Sequence, residues 1–155
     1  MAKRIRVTEL QPILPKVPFE KCPIATSLGV LGHKWALLVL RDVSFFKDVT
    51  FGKILRNNPG LTPRVLSMRL RELRREGFLE RVANPENGRE IYYRIAPKGE
   101  DVMPVLAALI QFGIQHYPER VFQDGKARGL QQVFPDRQGV LLGRLADYAD
   151  AATNR

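Results

Sequence analysis

The spacing of apolar positions changes several times along the chain, and each change marks an element. Residues 1–20 hold three prolines and no clear period, which predicts an extended arm. From Cys22, CPIATSLGVLG places Pro23 at a first helical position, with Ile24, Leu28 and Leu31 spaced i, i+4 and i+7 along one face. KWALLVLRDVSFF is nearly all apolar and predicts a buried central helix, with Trp35 as a core anchor. TFGKILRNNPG predicts a short helix capped by Thr50, with Phe51, Ile54 and Leu55 inward and Asn58-Pro59-Gly60 closing it. The next helix takes Thr62 as N-cap and Pro63 as first residue, and Gly77 fits its stop.

Two segments rich in β-branched, aromatic or large apolar residues follow and predict strands, FLERVA (78–83) and EIYYRI (90–95). NPENGR joins them, and its Asn87-Gly88 suits a tight hairpin turn. Pro97 opens a helix through Tyr117, crowded with Val102, Val105, Leu106, Leu109, Ile110, Phe112 and Ile114 over more than one stripe. Residues 118–136, with two prolines and two glycines, read as a connector. A last amphipathic helix over Arg137–Ala152 keeps Leu141, Leu145, Tyr148 and Ala152 in register. The expected fold is mainly α with a small β-hairpin. Residues 1–20 form an arm, 21–117 the main domain, and 118–155 a connector plus C-terminal helix.

The helix from Thr62 to Gly77, TPRVLSMRLRELRREG, carries five arginines against two glutamates. At about 100° per residue, Leu66, Leu70 and Leu73 fall within about 60° of one another, a narrow stripe that must pack on a core. Arg64, Ser67, Met68, Arg71 and Arg75 fall on the opposite side. Arg69 lies on the flank, where it pairs with a glutamate or crosses the core edge.

Charge sharpens that picture. Of the 155 residues 45% are apolar, enough for one domain with a core, and the net charge is +9. Residues 97–155 carry seven basic and seven acidic side chains, so the whole excess lies in the first 96 residues. That asymmetry suggests a polyanion partner for the N-terminal part. The longest apolar runs, WALLVL and VLAALI, are six residues, far below the roughly 20 that span a bilayer. The start lacks the continuous apolar core of a signal peptide. A soluble cytoplasmic protein without a membrane partner is the expectation.

A short helix, a turn of four to five residues and a second helix with its polar face outward make a helix-turn-helix, here followed by a two-stranded wing. In that arrangement the second helix enters the major groove N-terminus first. Thr62, Pro63 and Arg64 then lead, with Ser67 and Met68 behind and Arg71 one turn further. An arginine can grip guanine O6 and N7 with two hydrogen bonds, worth about 1–3 kcal/mol of discrimination, and Met68 can meet a thymine methyl. Arg89, beside the Asn87-Gly88 turn, is placed for phosphate or the minor groove, and Asn84 and Asn87 for phosphate. Lys34, Lys53, Arg56, Arg74 and Arg75 are expected to hold register on phosphates without reading sequence.

The run from Cys22 to about His116 resembles the HxlR family of winged helix-turn-helix transcriptional regulators, within the MarR-like group. The resemblance rests on Cys22-Pro23, Gly32-x-Lys34-Trp35, Leu37-Leu38-x-Leu40-Arg41, Phe51 and Pro59-Gly60-Leu61-Thr62-Pro63. It continues through Val65-Leu66-Ser67-x-Arg69-Leu70-Arg71-Glu72-Leu73, Gly77-x-Leu79, Pro85-Glu86, Tyr93-Arg94 and Pro97-x-Gly99. It implies a homodimer joined through the first and last family helices, with two recognition helices on a pseudo-palindromic operator in double-stranded DNA, and a repressor as the expected role. Three positions depart from the family pattern: His33 for a second glycine, Ala96 for a capping threonine, and Glu90 for an arginine near the wing.

Cys22 is a candidate redox sensor. A thiol at a helix N-terminus beside Lys21 has its anion favoured by the dipole and the charge, and the resemblance implies that a cysteine here can sense oxidants or electrophiles. It is equally a small, half-buried helix-start residue. As the one cysteine in the chain, it would signal through alkylation, a mixed disulfide or a Cys22–Cys22 bond between subunits. An enzyme is not expected: His33 and His116 lie in different helices without a nucleophile motif, no phosphate-cradling glycine loop exists, and one cysteine with two histidines is a poor zinc set. No metal or cofactor is expected. Two other readings stand beside the DNA-binding one. A small-molecule pocket at the dimer interface would add ligand control to DNA binding, whereas a winged-helix protein-interaction module should lack a clustered cationic face.

Overall fold

A computed structural model of the chain describes residues 22–133. The arm at residues 1–20 and the helix expected over Arg137–Ala152 lie outside these described residues. Chain contacts divide the molecule after His33 into two compact units.

The first unit contributes α1 (Pro23–Leu31), which opens on Cys22 as N-cap with Pro23 in the first turn, as expected. None of its residues is buried; Ile24 is 71% exposed and Leu28 55%.

The second unit opens with α2 (Ala36–Phe45), whose Ala36, Val39, Leu40 and Val43 are buried. Trp35 is not the core anchor expected. It is half-buried at the N-cap of α2 in a left-handed conformation (φ 77°), and its indole lies against Gly60 in a neighbouring turn. After β1 (Val49–Thr50) comes α3 (Phe51–Asn57), whose Lys53 amide donates to the Thr50 hydroxyl at 3.3 Å. Five residues then lead into α4 (Pro63–Arg75), where the Val65 amide donates to the Thr62 hydroxyl at 3.3 Å. Gly77 ends the helix at φ +81°, a conformation a side chain resists.

The wing differs from expectation in two ways. β2 (Leu79–Ala83) and β3 (Ile91–Ile95) pair antiparallel, Leu79 opposite Ile95 and Ala83 opposite Ile91, but β1 adds a third strand on the far edge of β3. Asp48, just before β1, accepts from Arg94 Nε at 3.0 Å and Nη2 at 2.7 Å, pinning that edge. Asn87-Gly88 does not form the two-residue turn, and neither residue has the positive φ it demands. Residues 84–90 loop out instead: the Asn84 amide donates to the Glu90 carbonyl at 2.9 Å, and Glu90 returns a bond to the Asn87 carbonyl at 2.9 Å.

The single helix expected from Pro97 to Tyr117 is broken into α5 (Pro97–Glu100) and α6 (Met103–His116). Close packing constrains the first piece, because a Cβ on the buried Gly99 would sit 2.0 Å from the Phe78 carbonyl oxygen. Ala96, the N-cap of α5, offers no side-chain cap. The connector holds two short helices, α7 (Pro118–Val121) and α8 (Leu130–Val133).

Apolar side chains from most of these elements form the core: Val39, Leu40, Ile54, Leu66 and Leu73 are fully buried, with Phe78, Leu79, Met103, Leu106 and Ile114 around them. Two polar side chains, Asp42 and Asn58, are buried among them. Asp42 (0% exposed) accepts from Asn58 Nδ2 at 2.7 Å and from Arg41 Nε and Nη2 at 2.9 and 2.7 Å. Asn58 also donates to the Ile54 carbonyl at 2.8 Å and accepts from Arg41 Nη2 at 3.0 Å. The network ties α2 to the turn that launches α4. No single helix among the described residues is long and apolar enough to cross a membrane.

Candidate nucleic-acid interface

The leucine stripe of α4 decides which of its side chains face out. Leu66, Leu70 and Leu73 are 0%, 3% and 0% exposed, so the opposite side is forced into solvent. Arg64, Ser67, Met68, Arg71 and Arg75 are all exposed, as the helical wheel requires, and so are Thr62, Pro63 and Arg74. Arg69 is the exception: its side chain is 15% exposed and pairs with Glu72 one turn on. Arg75 lies 3.5 Å from Glu76, while Arg64, Arg71 and Arg74 have no ion pair among the described residues. The N-terminal turn is fixed by Thr62, which spends its hydroxyl on the cap. At the other end Lys98 Nζ donates to the Glu76 carbonyl at 2.7 Å and lies 4.6 Å from the Phe78 ring centre. Both ends of α4 are therefore held.

The remaining candidates are scattered. Lys34 is exposed, its Nζ 5.1 Å from the Trp35 ring centre. Lys53 is half-buried at the start of α3 with Nζ 4.7 Å from the Phe46 ring centre, and Arg56 is exposed on the same helix. In the wing loop, Asn87 turns its side-chain oxygen back to accept from the Arg89 amide at 3.3 Å, and Arg89 itself projects into solvent.

Asn84 does not offer the free amide that sequence reasoning gave it. Its Nδ2 donates to Glu90 Oε2 at 2.8 Å and to the Tyr92 hydroxyl at 2.7 Å, and Tyr92 donates to the same carboxylate oxygen at 3.1 Å. Desolvation, and then the hydrogen bond to Glu90, lift the Tyr92 phenol above its ordinary range. Glu90, the departure noted near the wing, is thus part of a local hydrogen-bonded cluster at the wing base.

Sequence reasoning passed over one basic residue. Arg81 extends from β2 and joins Arg71, Arg74 and Arg75 around an open cleft of about 510 Å³ floored by Leu79 and edged by Glu80. Arg81 is exposed on a strand that begins four residues after α4 ends, and only the folded corner at Gly77 brings it beside the helix. Cys22 stands half-buried at the N-cap of α1 and makes no capping hydrogen bond through its side chain.

Comparison with known proteins agrees with this architecture. The family model for HxlR-like helix-turn-helix proteins matches residues 30–121. An HTH-type transcriptional regulator of Synechocystis is 34% identical over 92 residues, 59% of this chain and 67% of that protein. A MarR-family transcriptional regulator structure from Porphyromonas gingivalis superposes with a TM-score of 0.60 at 25% identity, covering 66% of this chain and 99% of the other. The redox regulator HypR in its oxidised form gives a TM-score of 0.55 at 25% identity, covering 59% of this chain and 94% of that one. With the matched helix-turn-helix, the wing and the outward arginine face in place, the chain belongs to the HxlR-like helix-turn-helix family and is a winged-helix, DNA-binding transcriptional regulator.

Proposed function

We propose that the protein is a homodimeric, sequence-specific repressor acting in the cytoplasm on a pseudo-palindromic operator, with DNA binding and dimerisation carried by residues 21–117. The observation that carries this reading is the exposed face of α4. Arg64, Ser67, Met68 and Arg71 stand together opposite three buried leucines, on a helix held at both ends. Thr62 and Pro63 lead that face toward base edges, Arg64 and Arg71 supply bidentate donors, and Met68 supplies an apolar contact. Lys34, Lys53, Arg56, Arg74, Arg75, Asn87 and Arg89 are assigned to phosphate, where charge sets affinity and register without reading sequence.

Dimerisation is supported by apolar surface. Val105, Leu109 and Phe112 are 44%, 50% and 52% exposed along one side of α6, and α1 separately exposes Ile24 and Leu28. Contiguous apolar patches of this kind mark association surfaces. A two-fold dimer on adjacent turns of one face of the duplex places its recognition helices about 34 Å apart.

Selection of bound fragments from random DNA tests the whole reading. A two-fold symmetric motif, with repression of a reporter placed downstream of it, is the expected result. Recovery of fragments without a shared motif would remove sequence specificity.

A second reading is redox control through Cys22, favoured by the likeness to HypR and by the place of this thiol at the N-cap of α1. Oxidation of two Cys22 thiols by diamide would transfer two electrons and two protons to the reagent and leave one disulfide between subunits. Equal operator affinity before and after diamide would exclude this control.

A further inference from the structure

The cleft beside the C-terminal half of α4 is too far along the helix to share the work of its first turns. Arg64 and Arg75 are eleven residues apart, about 16 Å along the axis at about 1.5 Å per residue. The major groove is about 12 Å wide, so a helix whose first turns meet base edges carries its last turn past the groove to the sugar–phosphate rim. There α4 presents Arg74 and Arg75 on one wall of the cleft, with Arg71 at the boundary where the base-reading face meets it, and β2 presents Arg81 on the other.

Four guanidiniums face one carboxylate, Glu80, and the Leu79 floor is buried. Arg71, Arg74 and Arg81 have no ion pair among the described residues, and Arg75 is paired only at 3.5 Å with Glu76. The cleft is thus a strongly cationic site open to solvent. Guanidinium donors match the oxygens of a phosphate in paired hydrogen bonds. The two walls come from elements joined by a fixed corner. Gly77 turns the chain, the Phe78 amide donates to the Leu73 carbonyl at 2.8 Å, and Lys98 braces the end of α4. Arg81 is therefore held relative to Arg74 by backbone hydrogen bonds, which a loop-borne arginine would lack.

The geometry points to this cleft as a clamp for one DNA backbone phosphate per half-site, with Arg81 as a contact that joins the wing strand to the recognition helix. This rests on the reading of α4 as the base-reading helix, and it adds to that reading a residue and a phosphate site outside the helix-turn-helix. The ligand chemistry is a phosphate oxyanion, and the source is the duplex.

The experiment uses the full-length protein and the duplex recovered by selection. Binding of wild type, Arg81→Gln and Arg64→Ala is measured by fluorescence anisotropy across a range of salt, on the selected and a random duplex. Arg81→Gln is expected to lower the slope of log K against log salt by about 0.9 for each phosphate lost, with the selected-to-random ratio unchanged. A scan of single methylphosphonate linkages then locates the partner. One neutralised linkage per half-site should weaken wild type and leave Arg81→Gln unaffected.

An unchanged slope in Arg81→Gln overturns the clamp, as does a scan in which every linkage weakens both proteins equally. Failure of the base-reading proposal shows elsewhere, as an Arg64→Ala variant that keeps full preference for the selected duplex. Inorganic phosphate at constant ionic strength, without DNA, separates the sources. A rise in thermal midpoint for wild type that Arg81→Gln lacks, together with equal salt slopes for the two proteins on DNA, would assign the cleft to a free anion and overturn the proposal. Should Arg81→Gln fail to fold by circular dichroism, Arg74→Gln carries the same measurements from the other wall.

Discussion

Asn58 donates to the carboxylate of Asp42 at 2.7 Å, with both side chains inside the protein. The bond joins α2 to the start of the turn before α4, so the position of the recognition helix depends on a polar contact within an apolar core. A hydrogen bond to a charged group is worth about 1.5–3 kcal/mol, and loss of one partner leaves the other desolvated. Asn58→Ala is expected to lower unfolding free energy by that amount in urea titration. Asp42→Ala removes the acceptor, and its cost is moderated because Arg41, with a third of its side chain exposed, can return to water. The double variant should cost less than the sum of the two by about 0.5–3 kcal/mol. Strict additivity would show that the two side chains do not act together.

Gly77 sets the corner between α4 and β2. At φ +81°, an alanine would hold a left-handed conformation that costs an L-residue roughly 1–2 kcal/mol. Space is not the obstacle, since the nearest atom to an added Cβ is Lys98 Cδ at 3.9 Å. Gly77→Ala should therefore destabilise by about that amount, measured by thermal or urea unfolding, and Gly77→Asn by less. Equal loss for both would point to packing in place of backbone strain.

These contacts show what could be read in the chain and what could not. The recognition helix was legible from end to end because its signals are local: Thr62-Pro63 at the start, Gly77 at the stop and three leucines at helical spacing. Asp42 was hidden because it sits inside an apolar run and its partner lies 16 residues away, so its burial has no local mark. β1 was hidden because two residues carry no period. The turn at Asn87-Gly88 departs from expectation for a different reason. Asn84 and Asn87 accept from the amides of Glu86 and Arg89, at 2.9 and 3.3 Å, which favours a longer loop over the two-residue turn. At the candidate site, the outward residues of α4 followed from its period. Arg81 did not, since its relation to α4 exists only once the corner at Gly77 is folded.

The wing base carries a pH signature. Desolvation and then Glu90 raise the Tyr92 phenol, so its neutral form is the one favoured in the folded chain. For a raised acid, the associated stability is present below the ordinary tyrosine range and fades as pH rises through the folded value. Glu90→Gln should lower the Tyr92 titration midpoint, followed by ring resonances in NMR with Tyr92→Phe for assignment. A midpoint that stays in place would take Glu90 out of the account.

Reading and holding should separate in mutants of the DNA-binding face. Arg64 stands exposed in the first turn of α4, and if it grips a guanine its loss is felt only where that guanine is present. Arg64→Ala should weaken the selected duplex by about 1–3 kcal/mol and random DNA little, relaxing specificity at one position of each half-site. Lys34→Ala and Lys53→Ala should do the opposite, lowering the salt slope by about 0.9 each with no change in preference. Competition binding on both duplexes at three salt concentrations distinguishes the two patterns. A uniform loss from Arg64→Ala would move that residue to the phosphate-holding group, and the burden of discrimination would pass to Ser67, Met68 and Arg71 behind it.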